Sequence, residues 1–100
     1  MRPNYRISEK AIEDLEQIWY YTFKQWSAAE QADRYSNLII DEIDYLSNDF
    51  ESGRNMDHIK PGYKLSKVKS HLIFYRKGKD EILEVVRILH EMMDVANLLK

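Results

Sequence analysis

A chain of 100 residues, 44% hydrophobic and 32% charged, has the size and composition of one ordinary globular domain. It has no cysteine, which excludes disulfide frameworks and thiolate metal sites. The net charge of −2 hides a segregation: residues 8–51 carry eleven acids against three bases, and residues 54–79 carry eight bases against Asp57 alone.

The opening MRPNYRISEK holds no apolar stretch suited to a signal peptide, and no run approaches a membrane span. The expected location is therefore the cytoplasm. Residues 4–7 alternate polar and apolar and predict a short first strand. Ser8 offers an N-cap for a helix over 9–26, where Ile12, Leu15, Ile18, Trp19, Phe23 and Trp26 recur at helical steps. Ser27 and Glu30 have the spacing of a capping box and predict a new helix start. Ala32, Tyr35, Leu38, Ile39, Ile43 and Leu46 then continue at helical spacing to about Asn48. So short a break predicts an antiparallel helical hairpin.

Residues 48–62 are rich in Asn, Asp, Gly, Ser and Pro and predict one long loop. After it the apolar period changes from about 3.6 to 2. Strands are expected at 63–68, 71–77 and 82–89, with a turn at 78–81 and a short helical tail at 90–99. The strand at 82–89 is apolar on both faces except for Glu84 and Arg87, so it is expected to be central. The order predicts an α+β domain, with an N-terminal strand and a helical hairpin packed on a twisted antiparallel sheet.

Arg87 interrupts an otherwise apolar strand. It either leans to solvent or pairs with a carboxylate such as Glu84 or Asp94, or it is a cation presented to an anionic partner. His90, at the end of that strand, is either structural or an acid–base group. His58 and His71 are spaced too irregularly for a metal motif, and no nucleotide-binding or hydrolase motif is present. The basic stretch 60–79 is interleaved with Tyr63, His71, Phe74 and Tyr75. It suits nucleic acid, an acidic protein surface, or simply the exposed side of a sheet. Trp19, Tyr20, Tyr21, Phe23 and Trp26 crowd into eight positions, and Tyr20 and Tyr21 lie off the helix stripe. Some of these aromatics belong to a core, and a partner laid over the hairpin would cover the rest.

Several stretches together resemble the ParE toxins of the RelE/ParE superfamily. They are DLEQIWYYTFKQWS (14–27), ADRYSNLI (32–39), GRNMDHIKPGYKLSKVKSHLIFYRK (53–77) and, most tellingly, LEVVRILHEMMDV (83–95). The resemblance covers essentially the whole chain as a single domain, 1–100, and implies the same hairpin-on-sheet fold. It implies a ParD-type antitoxin that wraps a flexible segment around the toxin, and DNA gyrase as the target, with DNA touched only indirectly. The related RelE branch cleaves mRNA on the ribosome and usually places a tyrosine near the C-terminus. Here EMMDVANLLK lacks one, which matches the ParE branch, though Tyr63 or Tyr75 could serve a divergent nuclease. The expectation is a gyrase-binding poison, not an enzyme, with no cofactor and no metal. Its effector surface is expected at Arg87, His90, Met93 and Asp94, with charge from Lys64, Lys67 and Arg76. The antitoxin is expected on Leu15, Trp19, Phe23, Tyr35 and Ile39.

Overall fold

Ser8 starts the first helix as its position suggests. In the computed structural model, which describes residues 4–99, its hydroxyl accepts the Ala11 N–H at 3.0 Å and donates to the Val86 carbonyl at 2.8 Å. One side chain thus caps helix α1 (Glu9–Trp26) and ties its start to the sheet. The preceding strand β1 (Tyr5–Ile7) pairs with β5 (Leu83–His90).

The break between the helices differs from expectation. Ser27 does not cap the second helix. It closes α1 in the left-handed conformation, with φ 53°, and its N–H donates to the Phe23 carbonyl. Helix α2 (Ala29–Asn48) begins from extended Ala28 without a side-chain cap. The chain must reverse within two residues, and the left-handed Ser27 makes that reversal, so its side chain cannot also serve the next helix.

The predicted loop carries more structure than its composition suggested. A 3-10 turn (Phe50–Ser52) leads into a two-residue strand β2 (Arg54–Asn55), which pairs with β3 (Lys64–Val68). Between them the chain folds on itself. Met56 donates its N–H to the Tyr63 carbonyl at 2.9 Å, and Asp57 accepts the N–H of Gly62 at 2.7 Å. Gly62 has φ 84°, a conformation that a side chain resists. Tyr63, expected to open β3, lies in this loop with its ring buried.

Strands β3, β4 (His71–Lys77) and β5 form the expected antiparallel meander. The sheet order is β1-β5-β4-β3-β2. β5 has a strand on each side, but β4 holds the middle place. β1 runs parallel to β5, so the sheet is mixed rather than antiparallel throughout. That direction is not legible in the residues, because two helices and three strands separate the partners.

Each sheet face has its own core. On one face Ile73, Tyr75, Val85 and Ile88 meet Ala11, Ile18, Ile39, Ile43 and Leu46 of the hairpin. On the other, Phe74 and Leu89 meet Met56 and Tyr63 from the loop and Leu99 from the tail. This is why residues 82–89 are apolar on both faces. The tail ends in a short helix α3 (Val95–Leu98). No helix is long and apolar enough to cross a membrane among the described residues.

Candidate functional site

Arg87 sits where β5 loses its neighbour. Pairing with β1 ends at Val85, where the chain turns away into α1. Opposite, the β4–β5 register shifts between Phe74 and Tyr75, leaving Val86 unpaired as a bulge. The open edge is closed from α1. One carboxylate oxygen of Asp14 accepts the Ile88 N–H at 3.0 Å and the Arg87 Nε–H at 2.8 Å, and the other accepts Arg87 Nη2 at 3.0 Å. Both side chains are mostly buried, 16% and 14% exposed. The hydrogen bond to Asp14 raises the Arg87 pKa above the usual guanidinium value, so the residue is firmly charged. Arg87 therefore pairs with neither Glu84 nor Asp94, and its charge is spent inside the fold.

The other expected effector residues divide between the two ends of the sheet. At one end Arg76 is bound to Glu84 at 2.8 Å and Lys64 to Glu51 at 3.3 Å. A cleft there is lined by Arg6, Arg76, Gly78, Lys79, Asp80 and Glu84, and Arg6 is paired with Asp80. At the other end lie Lys67, His90, Met93 and Asp94. Arg76 and Lys64 thus do not share a surface with His90.

His90 stands directly across from His71, and the rings meet edge to face at 5.1 Å. Nδ1 of His71 is 2.8 Å from the Tyr35 hydroxyl. Nδ1 of His90 accepts the Met92 N–H at 3.1 Å. Glu91 accepts a hydrogen bond from Lys67 at 2.7 Å, which holds its carboxyl below the usual range. Burial, and then the neighbouring His90, pushes the His71 pKa down, and burial pushes Tyr35 up. Beyond this cluster the tail is open: Met92 is 84% and Met93 51% exposed, and the exposed Asp94 accepts Asn97 Nδ2. No group of three histidines, acids or cysteines could hold a metal among the described residues.

On the hairpin, α1 carries two stripes. Ala11, Leu15, Ile18 and Thr22 turn to the core. Ile12, Trp19, Phe23 and Trp26 form the second stripe, where Ile12, Phe23 and Trp26 are exposed. Trp19 stacks on Phe23 at 5.4 Å and donates from Nε1 to Asp33 at 2.8 Å. Tyr20, Tyr21, Leu38 and Tyr45 are also exposed, outside this stripe. Of the five expected antitoxin contacts, Trp19 and Phe23 reach it. Leu15 and Tyr35 are half-buried. Ile39 is 0% exposed and belongs to the core, because α2 turns its 32–39–43–46 stripe to the sheet.

The sequence reading missed Asp14, Met92 and the Tyr35–His71–His90 cluster. Asp14 was legible in part, as an acid three residues after Ala11 and four before Ile18 on the buried stripe of α1. That is the place to look for a partner to a lone strand arginine.

Residues 5–95 match the family model described as the ParE toxin of the type II toxin–antitoxin system parDE. This chain belongs to the ParE toxin family. Toxin ParE1 of Mycobacterium tuberculosis is 37% identical over 95 residues, covering 95% of this chain and 96% of that one. Toxin ParE1 of Caulobacter vibrioides is 32% identical over 94 residues, with 94% of each chain covered. Toxin ParE of Escherichia coli is 31% identical over 91 residues, covering 91% and 87%. A solved structure titled as the chromosomal ParDE system of P. aeruginosa superposes with a TM-score of 0.72 over 86% of this chain and 92% of that one. At 19% identity this likeness shows the fold. The helical hairpin on the sheet is thus a ParE fold, and its tail leaves Met92 and Met93 in the open.

Proposed function

We propose that this ParE toxin is held by a ParD-type antitoxin and, when released in the cytoplasm, poisons DNA gyrase by binding rather than by chemistry. The observation that carries the antitoxin half is the second stripe of α1. Exposed Ile12, Phe23 and Trp26 make an apolar stripe on an otherwise acidic hairpin. A segment folding on that surface removes it from water.

The reading as a binding poison rests on where the cations go. RNA cleavage needs positive charge free to meet a phosphorane. Arg87 is committed to Asp14 in a mostly buried pair, and Arg76 and Lys67 lie against Glu84 and Glu91 at the surface. The tail offers a different kind of surface: His90, Met92, Met93 and Asp94, with the two methionines as adaptable apolar contacts. We take this turn as the gyrase-contacting surface.

A second reading, a ribosome-dependent mRNA nuclease of the RelE type, is favoured by one observation. Tyr35, His71 and His90 are assembled at one sheet end, where an acid–base pair would stand. The test uses purified toxin, gyrase, ATP and supercoiled plasmid. Linear DNA released by detergent and protease is the expected result. Unimpaired supercoiling by active gyrase, with cut mRNA on translating ribosomes, overturns the reading.

A further inference from the structure

The turn that carries Met92 and Met93 is fastened by an interaction that only one protonation state of His90 permits. Glu91 donates its N–H to the Ser70 carbonyl at 2.8 Å, and Met93 donates to the His90 carbonyl at 3.0 Å. Between them the Met92 N–H is accepted by Nδ1 of the His90 ring at 3.1 Å. A backbone N–H cannot reverse its role, so Nδ1 must carry a lone pair and the proton of the neutral ring must sit on Nε2. Protonation places the ring's second N–H hydrogen on Nδ1, facing the Met92 N–H, and the contact becomes donor against donor.

The surroundings couple this ring to a second one. His71 lies 5.1 Å away, edge to face, so a charge on either ring opposes a charge on the other. Tyr35 from α2 faces His71, Lys67 from β3 holds Glu91, and Glu91 is the carboxylate that faces both rings. A proton on His90 therefore breaks the ring's bond to Met92 and draws the ring toward Glu91, in competition with Lys67. Burial of His71 resists a second proton, so the pair charges unequally.

We propose that His90, paired with His71, is a proton-operated latch on the turn at residues 90–93: closed while the ring is neutral, opened by proton uptake at Nδ1. Leu99 remains buried and its carbonyl remains held by Lys60 at 3.0 Å, so opening is confined to the turn. The latch would regulate the presentation of Met92 and Met93, and that consequence rests on reading the turn as the gyrase surface.

Amide hydrogen exchange of the full chain by NMR tests the latch without gyrase, so its failure and the failure of the gyrase reading are separable. Rates at pH 7.5 and 5.5 are corrected for the intrinsic pH dependence of exchange. Protection of the Met92 amide is expected to fall on the order of tenfold at pH 5.5, beyond any change in core amides such as Ile39 and Ile43, which follow global stability. His90→Asn supplies the decisive contrast. An Asn side-chain carbonyl accepts the N–H two residues on in the same way but does not titrate, so the protection should persist at both pH values. Equal protection of Met92 at the two pH values, a fall no larger than that of the core amides, or the same fall in His90→Asn overturns the proposal.

Discussion

Arg87 and His90 stand three residues apart on one strand, one interrupting its apolar run and one ending it, yet they do opposite work. Arg87 is enclosed. Its guanidinium and the neighbouring Ile88 N–H share the carboxylate of Asp14, so the open edge of β5 is closed by a helix instead of a strand. His90 is half-exposed, borders a second histidine and holds an exposed turn through a single ring nitrogen. A cation that cannot titrate is used where permanence is needed, and a ring that can take up a proton stands where the chain can open. The general lesson is that a charged residue in a buried strand acquires its role from the element beside it.

The largest effect should come from breaking the closed half. Arg87→Ala leaves the Asp14 carboxylate mostly buried with only the Ile88 N–H, which should lower stability by about 3–5 kcal/mol in urea unfolding. The double variant Asp14→Asn with Arg87→Gln retains an acceptor for Ile88 and should recover much of the loss. Loss of toxicity in Arg87→Ala alone therefore does not identify an effector residue. The double variant, once shown to melt near wild type, isolates the role of the charge. An Arg87→Ala protein as stable as wild type would sink the assignment of a structural pair.

The next effect separates the halves by pH. Burial and His90 depress the His71 pKa in the folded state, so the unfolded chain binds the proton more readily. Stability is complete above the ordinary histidine value of about 6.5 and falls as the pH drops below it toward the lower folded value. Arg87, its pKa raised by Asp14, stays charged throughout that window. Urea midpoints at pH 7.5 and 5.5 should therefore decline in the wild type and decline less in His71→Gln. A slope unchanged by His71→Gln would place the titration elsewhere. A smaller change of the same kind is Tyr35→Phe, which removes the hydroxyl at Nδ1 of His71 and should cost about 1 kcal/mol.

Much of the fold was legible in the residues. Ser8 caps α1, the change of apolar period at residue 63 marks the sheet, and the double-faced apolarity of 82–89 places β5 inside it. Three features were not, for physical reasons. Ser27 and Glu30 have capping-box spacing, but spacing does not reveal that the left-handed turn consumes Ser27 first. The parallel β1 depends on where a two-helix excursion returns the chain. Ile39 carries the same apolar character as Phe23, and only the rotation of each helix on the sheet separates a core side chain from an exposed one. The candidate site was legible in part. His90 was named for its chemistry, while its partners His71 and Tyr35 lie on other elements, brought together by the β4–β5 register and the packing of α2.

The smallest effect tests how far the turn depends on its outer charge pair. Lys67 and Glu91 are 2.7 Å apart, but Lys67 is 58% exposed, and water and salt screen the attraction. Lys67→Ala should therefore change stability by less than about 1 kcal/mol, and the change should shrink further in high salt. Its more telling consequence concerns the histidines. Without Lys67 the Glu91 carboxylate loses its hydrogen bond and turns its full charge on the two rings. A cationic His90 is then better stabilised, so the pH at which Met92 loses protection should move upward. If Lys67→Ala leaves that pH unchanged, Glu91 does not govern the turn, and the His71–His90 pair acts without it.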